Sequence, residues 1–125
     1  MWGLGSLEGE AMDVVWSMGR PVVVHDVVAA LNERREKELA YTTVMTVLNK
    51  LVAKGWLDRR LSGRVGTYVP VEDKDAYTAR IMAETLADSQ DRAAALLGFV
   101  ERLDPVESAA LRAALRRVGD SGVVE

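Results

Sequence analysis

Ala40-Tyr41-Thr42-Thr43-Val44-Met45-Thr46-Val47-Leu48-Asn49-Lys50-Leu51-Val52-Ala53-Lys54-Gly55 is the stretch on which the fold turns. Val44, Val47, Leu48 and Leu51 recur at the i, i+3, i+4, i+7 spacing of one helix face, and Gly55 supplies a stop. The spacing therefore predicts a helix from Tyr41 to Lys54 whose apolar stripe needs a core to pack on. Thr42, Thr43, Met45, Thr46, Asn49 and Lys50 fall mainly away from that stripe. Three threonines so close together lower helix propensity, a cost that makes sense when short hydroxyls, an amide and a cation are wanted outside. These are groups that reach base edges and phosphates.

Downstream, Trp56 to Leu61 and Thr67 to Val71 read as two strands joined by Ser62-Gly63-Arg64-Val65-Gly66, with glycines and Arg64 at a hairpin tip. Upstream, Leu7, Ala11, Val14, Val15 and Met18 predict a helix from about 7 to 18, stopped by Gly19-Arg20-Pro21. Val22-Val23-Val24 suits a brief strand. A second helix is expected from Asp26, as a cap, to about Arg34, with Val27, Val28 and Leu31 inward. Helix, helix, helix, hairpin is the order of a winged helix. The third helix is then the one that enters a major groove by its first turns.

From Glu72 onward the pattern is helical in three pieces. They are expected over about 73–88, 91–103 and from Pro105, where Asp104 caps and Glu107 completes a box. We expect a mainly α chain with a small β-hairpin: a winged helix-turn-helix over 1–72, a helical region over 73–118 and a frayed tail over 119–125. The helical region has too little interior to stand alone, so Ile81, Leu86, Leu96, Leu97, Phe99, Val100, Leu103, Leu111 and Leu115 are expected to meet a second copy in a homodimer.

A formal charge of −3 over 125 residues argues against a polyanionic partner, but the average misleads. Lys50, Lys54, Arg59, Arg60 and Arg64 face a single acid, Asp58, between 41 and 71, while both flanks are net acidic. With no cysteine and one histidine, the chain lacks the parts for thiolate metal sites and for most acid/base schemes. It also has no Gly-x-Ser-x-Gly elbow, Walker loop or His-Glu-x-x-His motif. No catalytic residue, metal site or cofactor is expected. His25 suits a surface or capping role at a strand-to-helix corner. No apolar run reaches the length of a membrane span, so a cytoplasmic protein without membrane insertion is expected.

The segment from Ala40 to Gly55 resembles the signature of the penicillinase-repressor family, the BlaI/MecI/CopY type of bacterial winged-helix regulators. The likeness extends through Leu7-Glu8, Met12 to Trp16, Gly63-Arg64, Tyr68, Pro70 and Phe99-Val100-Glu101. It implies a homodimeric transcriptional repressor that binds an inverted-repeat operator in double-stranded DNA. Thr42, Thr43, Met45, Thr46 and Lys50 fall at its operator contacts, with Asn49 one turn along the same helix and Arg64 and Tyr68 contributing from the wing. It also implies release through a membrane sensor metalloprotease pathway that cuts in the C-terminal region, here at Gly98-Phe99, where the family pattern has Asn before Phe. The cysteine cluster of copper-sensing relatives is absent, and Ala40 stands where relatives often have a capping Ser. Two other functions suit the same element order: a winged-helix protein-interaction module and a small-molecule-sensing repressor.

Overall fold

A computed structural model describes residues 3–120. Its elements are α1 (Ser6–Met18), α2 (Val24–Asn32), α3 (Tyr41–Ala53), β1 (Leu57–Ser62), β2 (Val65–Pro70), α4 (Lys74–Ala87), α5 (Arg92–Glu101) and α6 (Pro105–Asp120). The chain divides into two compact units with the boundary inside α4, between Thr78 and Ala79.

The first unit is a winged helix. Glu8 reaches back to accept the Gly5 amide at 2.9 Å and so opens α1, which ends at Gly19 in the left-handed region, φ 63°. The expected strand over Val22 to Val24 is a single bridge. Val22 and Tyr68 exchange backbone hydrogen bonds of 3.0 and 2.8 Å, and Val24 already belongs to α2. Asp26 is therefore not the cap of that helix. It sits in the first turn, accepts the Val23 amide at 3.1 Å and pairs with Arg20 at 3.0 Å, so the helix starts two residues earlier than its aspartate suggests. The Arg20 guanidinium first, and the Val23 amide next, hold the Asp26 carboxyl below its ordinary range.

Asn32 closes the connection to α3 with both ends of its amide: Nδ2 donates to the Leu39 carbonyl at 3.2 Å, and Oδ1 accepts the Leu39 amide at 2.8 Å. Ala40 occupies the cap of α3 with no side-chain bond; its carbonyl accepts from the amides of Thr43 and Val44. At the other end the Gly55 amide bonds to the Val52 carbonyl and the Trp56 amide to that of Leu51. With Gly55 at φ 83°, this is the paired closure that needs a left-handed glycine. Val44, Val47, Leu48 and Leu51 all lie buried against Met12, Val15, Val27 and Leu31, as the stripe requires.

The hairpin pairs Leu57 with Pro70 through to Ser62 with Val65 around the two residues Gly63 and Arg64, a tighter loop than the five residues expected. Gly63 at φ 67°, followed by a residue without positive φ, is the pattern of a type II′ turn, whose twist matches that of the strands. The first unit reaches past the expected boundary at 72 because Tyr77, in the first turn of α4, is buried. Its ring lies 5.7 Å from that of Trp16 and 4.8 Å from that of Trp56, and the Trp16 indole donates to the Glu72 carbonyl at 3.0 Å.

The second unit is purely helical among the described residues. Asp91 accepts the Ala94 amide at 3.1 Å to cap α5. Asp104 and Glu107 make the expected reciprocal box at α6, at 2.7 and 3.0 Å, with Pro105 at its first position. The helix carries on through Gly119 to Asp120, since one glycine costs about 1 kcal/mol without breaking a helix. Gly119 and Asp120, expected to open a frayed tail, thus belong to α6, and the rest of that expected tail, from Ser121, lies outside the described residues.

Candidate nucleic-acid interface

Burial of the apolar stripe turns Thr42, Thr43, Thr46, Asn49 and Lys50 to the exposed side of α3. Thr42, Thr46 and Asn49 follow one another at i, i+4 and i+7, a continuous line along the helix, with Thr43 and Lys50 beside it. Thr46 spends its hydroxyl proton on the Thr42 carbonyl at 2.9 Å, so it offers its methyl and an acceptor outward rather than a donor. Met45, also in the expected set, is less open than the others on α3. It is half-buried and packs on the edge of the core, since its place beside Val44 and Leu48 turns it toward the apolar stripe.

Tyr68 departs further. Register with β1 places it opposite Arg59 and on the same face as Leu57, so it points into the unit and is only 2% exposed. It is a core residue and not an exposed wing contact. Its one polar reach is toward α3, where the hydroxyl donates to Asn49 Oδ1 at 2.9 Å. The wing tip itself leaves Arg64 exposed.

The cations of this segment are unequally free. Lys54 is spoken for by Glu8 at 2.8 Å and by the Gly3 carbonyl at 3.3 Å. That lysine, followed by the Gly5 amide, keeps the Glu8 carboxyl below its usual range. Among the described residues Lys50, Arg59, Arg60 and Arg64 make no ion pair. Arg59 is one of the five cations of the basic segment but is not among the expected site residues. Its guanidinium folds over Gly66, where an added Cβ would stand 2.8 Å from an Nη, so the bare glycine makes room for the arginine. The available signal was the alternation of Leu57, Arg59 and Leu61, read against a glycine in the facing strand.

His25 is exposed in the first turn of α2. Its ring lies 4.7 Å from that of Tyr41, the first residue of α3, in keeping with the surface role expected of it. Among the described residues there is no cluster of three metal-ligating side chains, and no helix is long and apolar enough to cross a membrane.

The family model described as penicillinase repressor matches residues 4–117. The chain belongs to the penicillinase repressor family. It is 44% identical over 115 residues to the transcriptional regulator BlaI of Mycobacterium tuberculosis, covering 90% of this chain and 82% of that one. The solution structure of the DNA-binding domain of the repressor BlaI matches 60% of this chain and 88% of its own length at 28% identity, TM-score 0.50. A MarR family protein from Bacillus stearothermophilus covers 98% of this chain at 13% identity, TM-score 0.51, a likeness of fold alone. Membership in a repressor family assigns the chain a regulator's role and not an enzyme's.

The family match spans the second unit as well, where the other expected site residues lie. Ile81, Leu86, Leu103 and Leu111 are half-buried, whereas Leu96, Leu97, Phe99, Val100 and Leu115 are exposed, Leu97 by 62%. Neither α5 nor α6 buries a single residue fully. The Gly98-Phe99 bond lies inside α5, with Gly98 half-buried and Phe99 41% exposed.

Proposed function

We propose that the chain is a sequence-specific DNA-binding transcriptional repressor that works as a homodimer on an inverted repeat. The exposed line of Thr42, Thr46 and Asn49 on α3, flanked by four cations without ion pairs, carries this reading. A duplex demands both features: hydrogen-bonding and methyl groups for base edges, and positive charge for the backbone. Lys50, Arg59, Arg60 and Arg64 hold phosphates, while Thr42, Thr43, Thr46 and Asn49 face the groove. Met45 supports the helix from below. The relatives' description as BlaI regulators, and the DNA-binding domain among the solved structures, support the same assignment. Work on DNA places the chain in the cytoplasm.

The exposed leucines of α5 and α6 support the homodimer, because a unit with no fully buried residue in either helix gains its interior from a second copy. Release by cutting at Gly98-Phe99, under a membrane sensor metalloprotease, fits a bond placed amid that apolar surface. Glycine in the middle of α5 lowers the cost of the unwinding that a protease requires.

Selection of bound fragments from a pool of random duplexes tests the reading directly. A recovered consensus with twofold symmetry is expected; recovery of no consensus, with affinity equal for all duplexes, rejects it.

A further inference from the structure

We propose that Tyr68 is a positioning residue that makes Asn49 a dedicated hydrogen-bond donor to a base edge. This rests on the DNA-binding reading above and adds to it a direction of hydrogen bonding at one position. Tyr68 is buried and held from three sides. Its backbone exchanges two hydrogen bonds with Val22, its strand pairs with β1, and its hydroxyl meets Asn49 at 2.9 Å. Asn49 by contrast is exposed on the outer line of α3.

The polarity of the contact follows from satisfaction of the buried group. A phenol hydroxyl has one proton, and an unmet buried donor is costly. Asn49 is the hydrogen-bond partner of that hydroxyl among the described residues, so the proton must go to an Asn49 acceptor, the carbonyl Oδ1. Were the amide reversed, its NH2 would face the hydroxyl and the buried proton would have no acceptor. The side chain is thereby locked with Oδ1 inward and Nδ2, with its two protons, outward.

An asparagine free to rotate can read adenine with both ends of its amide, accepting from N6 and donating to N7. Asn49 cannot, because its carbonyl is turned toward Tyr68. It donates only, and so favours guanine, whose O6 and N7 both accept, or thymine with O4, over adenine, whose N7 acceptor stands beside an amino donor, and over cytosine. Tyr68 touches no DNA in this scheme and acts wholly through Asn49.

The experiment uses the full chain and the duplex that it selects from a random pool, together with every single-base variant of that duplex. At one position in each half-site, wild type should favour an acceptor-bearing base. Tyr68→Phe and Asn49→Ala should each lose about fivefold of that preference, and the double variant should lose no more than Asn49→Ala alone. Binding to random duplex and its salt slope should stay at wild-type values for Tyr68→Phe. Asn49→Asp alters no buried atom, so it answers the same question even if Tyr68→Phe folds poorly. Its carboxylate accepts from Tyr68 and offers only acceptors outward, so the preferred base should change to cytosine or adenine, which present an amino group.

Full discrimination in Tyr68→Phe overturns the proposal. So does a loss spread evenly over all duplexes and additive with Asn49→Ala, since that is what a purely structural tyrosine gives. Retention of the original base by Asn49→Asp overturns it as well. Failure of wild type to select any duplex overturns both this inference and the DNA-binding reading, whereas selection with an unmoved Tyr68→Phe overturns only the inference.

Discussion

Lys50→Ala puts the electrostatic half of the interface to a quantitative test. Lys50, Arg59, Arg60 and Arg64 make no ion pair among the described residues, so each is available to neutralise a phosphate. The symmetric pair of chains proposed above would bring eight such cations, and counterion release at about 0.9 per phosphate then sets a slope of log affinity against log salt near −7. Raising salt from about 50 to 200 mM should weaken wild type by roughly 10⁴-fold. Removing Lys50 from both subunits leaves six cations and a slope near −5.4, so the same change in salt should cost only roughly 10³-fold. Fluorescence anisotropy on a labelled duplex over several salt concentrations measures both slopes. The loss at low salt should be equal on selected and random duplex, because a phosphate contact carries no base preference. Thr46→Ala provides the contrast, with lower preference for the selected duplex and an unchanged slope. A Lys50→Ala slope equal to that of wild type would refute the placement of Lys50 against the backbone.

Three further outcomes are expected. Leu97→Asp or Phe99→Asp should give a monomer by sedimentation and lower operator affinity by roughly 10²- to 10⁴-fold through lost effective concentration; a proven monomer with wild-type affinity would sink the dimer. Gly66→Ala should displace the Arg59 guanidinium from its seat over β2 at little cost in thermal stability, since a flexible side chain gives way, and should flatten the salt slope by up to about 0.9 per subunit. An unchanged slope in Gly66→Ala beside a flattened one in Arg59→Ala would show that the seat does not matter. Asp26 and Glu8 both have carboxyls held below their ordinary range, Asp26 by Arg20 and then the Val23 amide, Glu8 by Lys54 and then the Gly5 amide. Groups of that kind stabilise the fold above their unfolded pKa and lose this effect as pH falls through the lower, folded value. Urea unfolding of wild type against the double variant Asp26→Asn, Glu8→Gln should therefore show a gap at pH 7 that closes below about pH 4; parallel curves would contradict it.

Much of the winged helix was legible because its signals are local. The stripe of Val44, Val47, Leu48 and Leu51 defines α3 by itself, and Gly55 closes it by a conformation few other residues adopt. The departures come where a distant partner decides. Asp26 looks like a cap, and aspartate serves at either the cap or the third position of a helix. The choice fell to Arg20 and to the Val22–Tyr68 bridge, which takes up Val22, two residues before the helix starts. Tyr68 in Thr67-Tyr68-Val69-Pro70 alternates with its neighbours, but alternation does not say which face is inside; only register with Leu57 and Arg59 does. Gly66 reads as loop by composition, yet it lies in β2, paired with Leu61 and beneath the Arg59 guanidinium. The same limit hid the seat of Arg59, whose position depends on a residue in the facing strand.

The two units differ in how they are held together, and that difference bears on control. In the first unit a contiguous cluster from Ala11 to Tyr68 is buried, so the recognition face rests on a core the chain supplies itself. In the second, α5 and α6 bury no residue fully, and Leu97, Phe99, Val100, Leu115 and Val118 stay exposed. In the proposed homodimer, stability there would come largely from association, which would tie the folding of α5 and α6 to protein concentration and to anything that separates the copies. On the same proposal operator occupancy would depend on having both half-site binders joined, so a small shift in the dimer equilibrium would be multiplied by the effective concentration lost. A cell could therefore withdraw repression without touching Thr42, Thr46, Asn49 or Lys50. It is enough to act on the weaker unit, and an intact first unit released from its twin would keep its base preference while losing its grip.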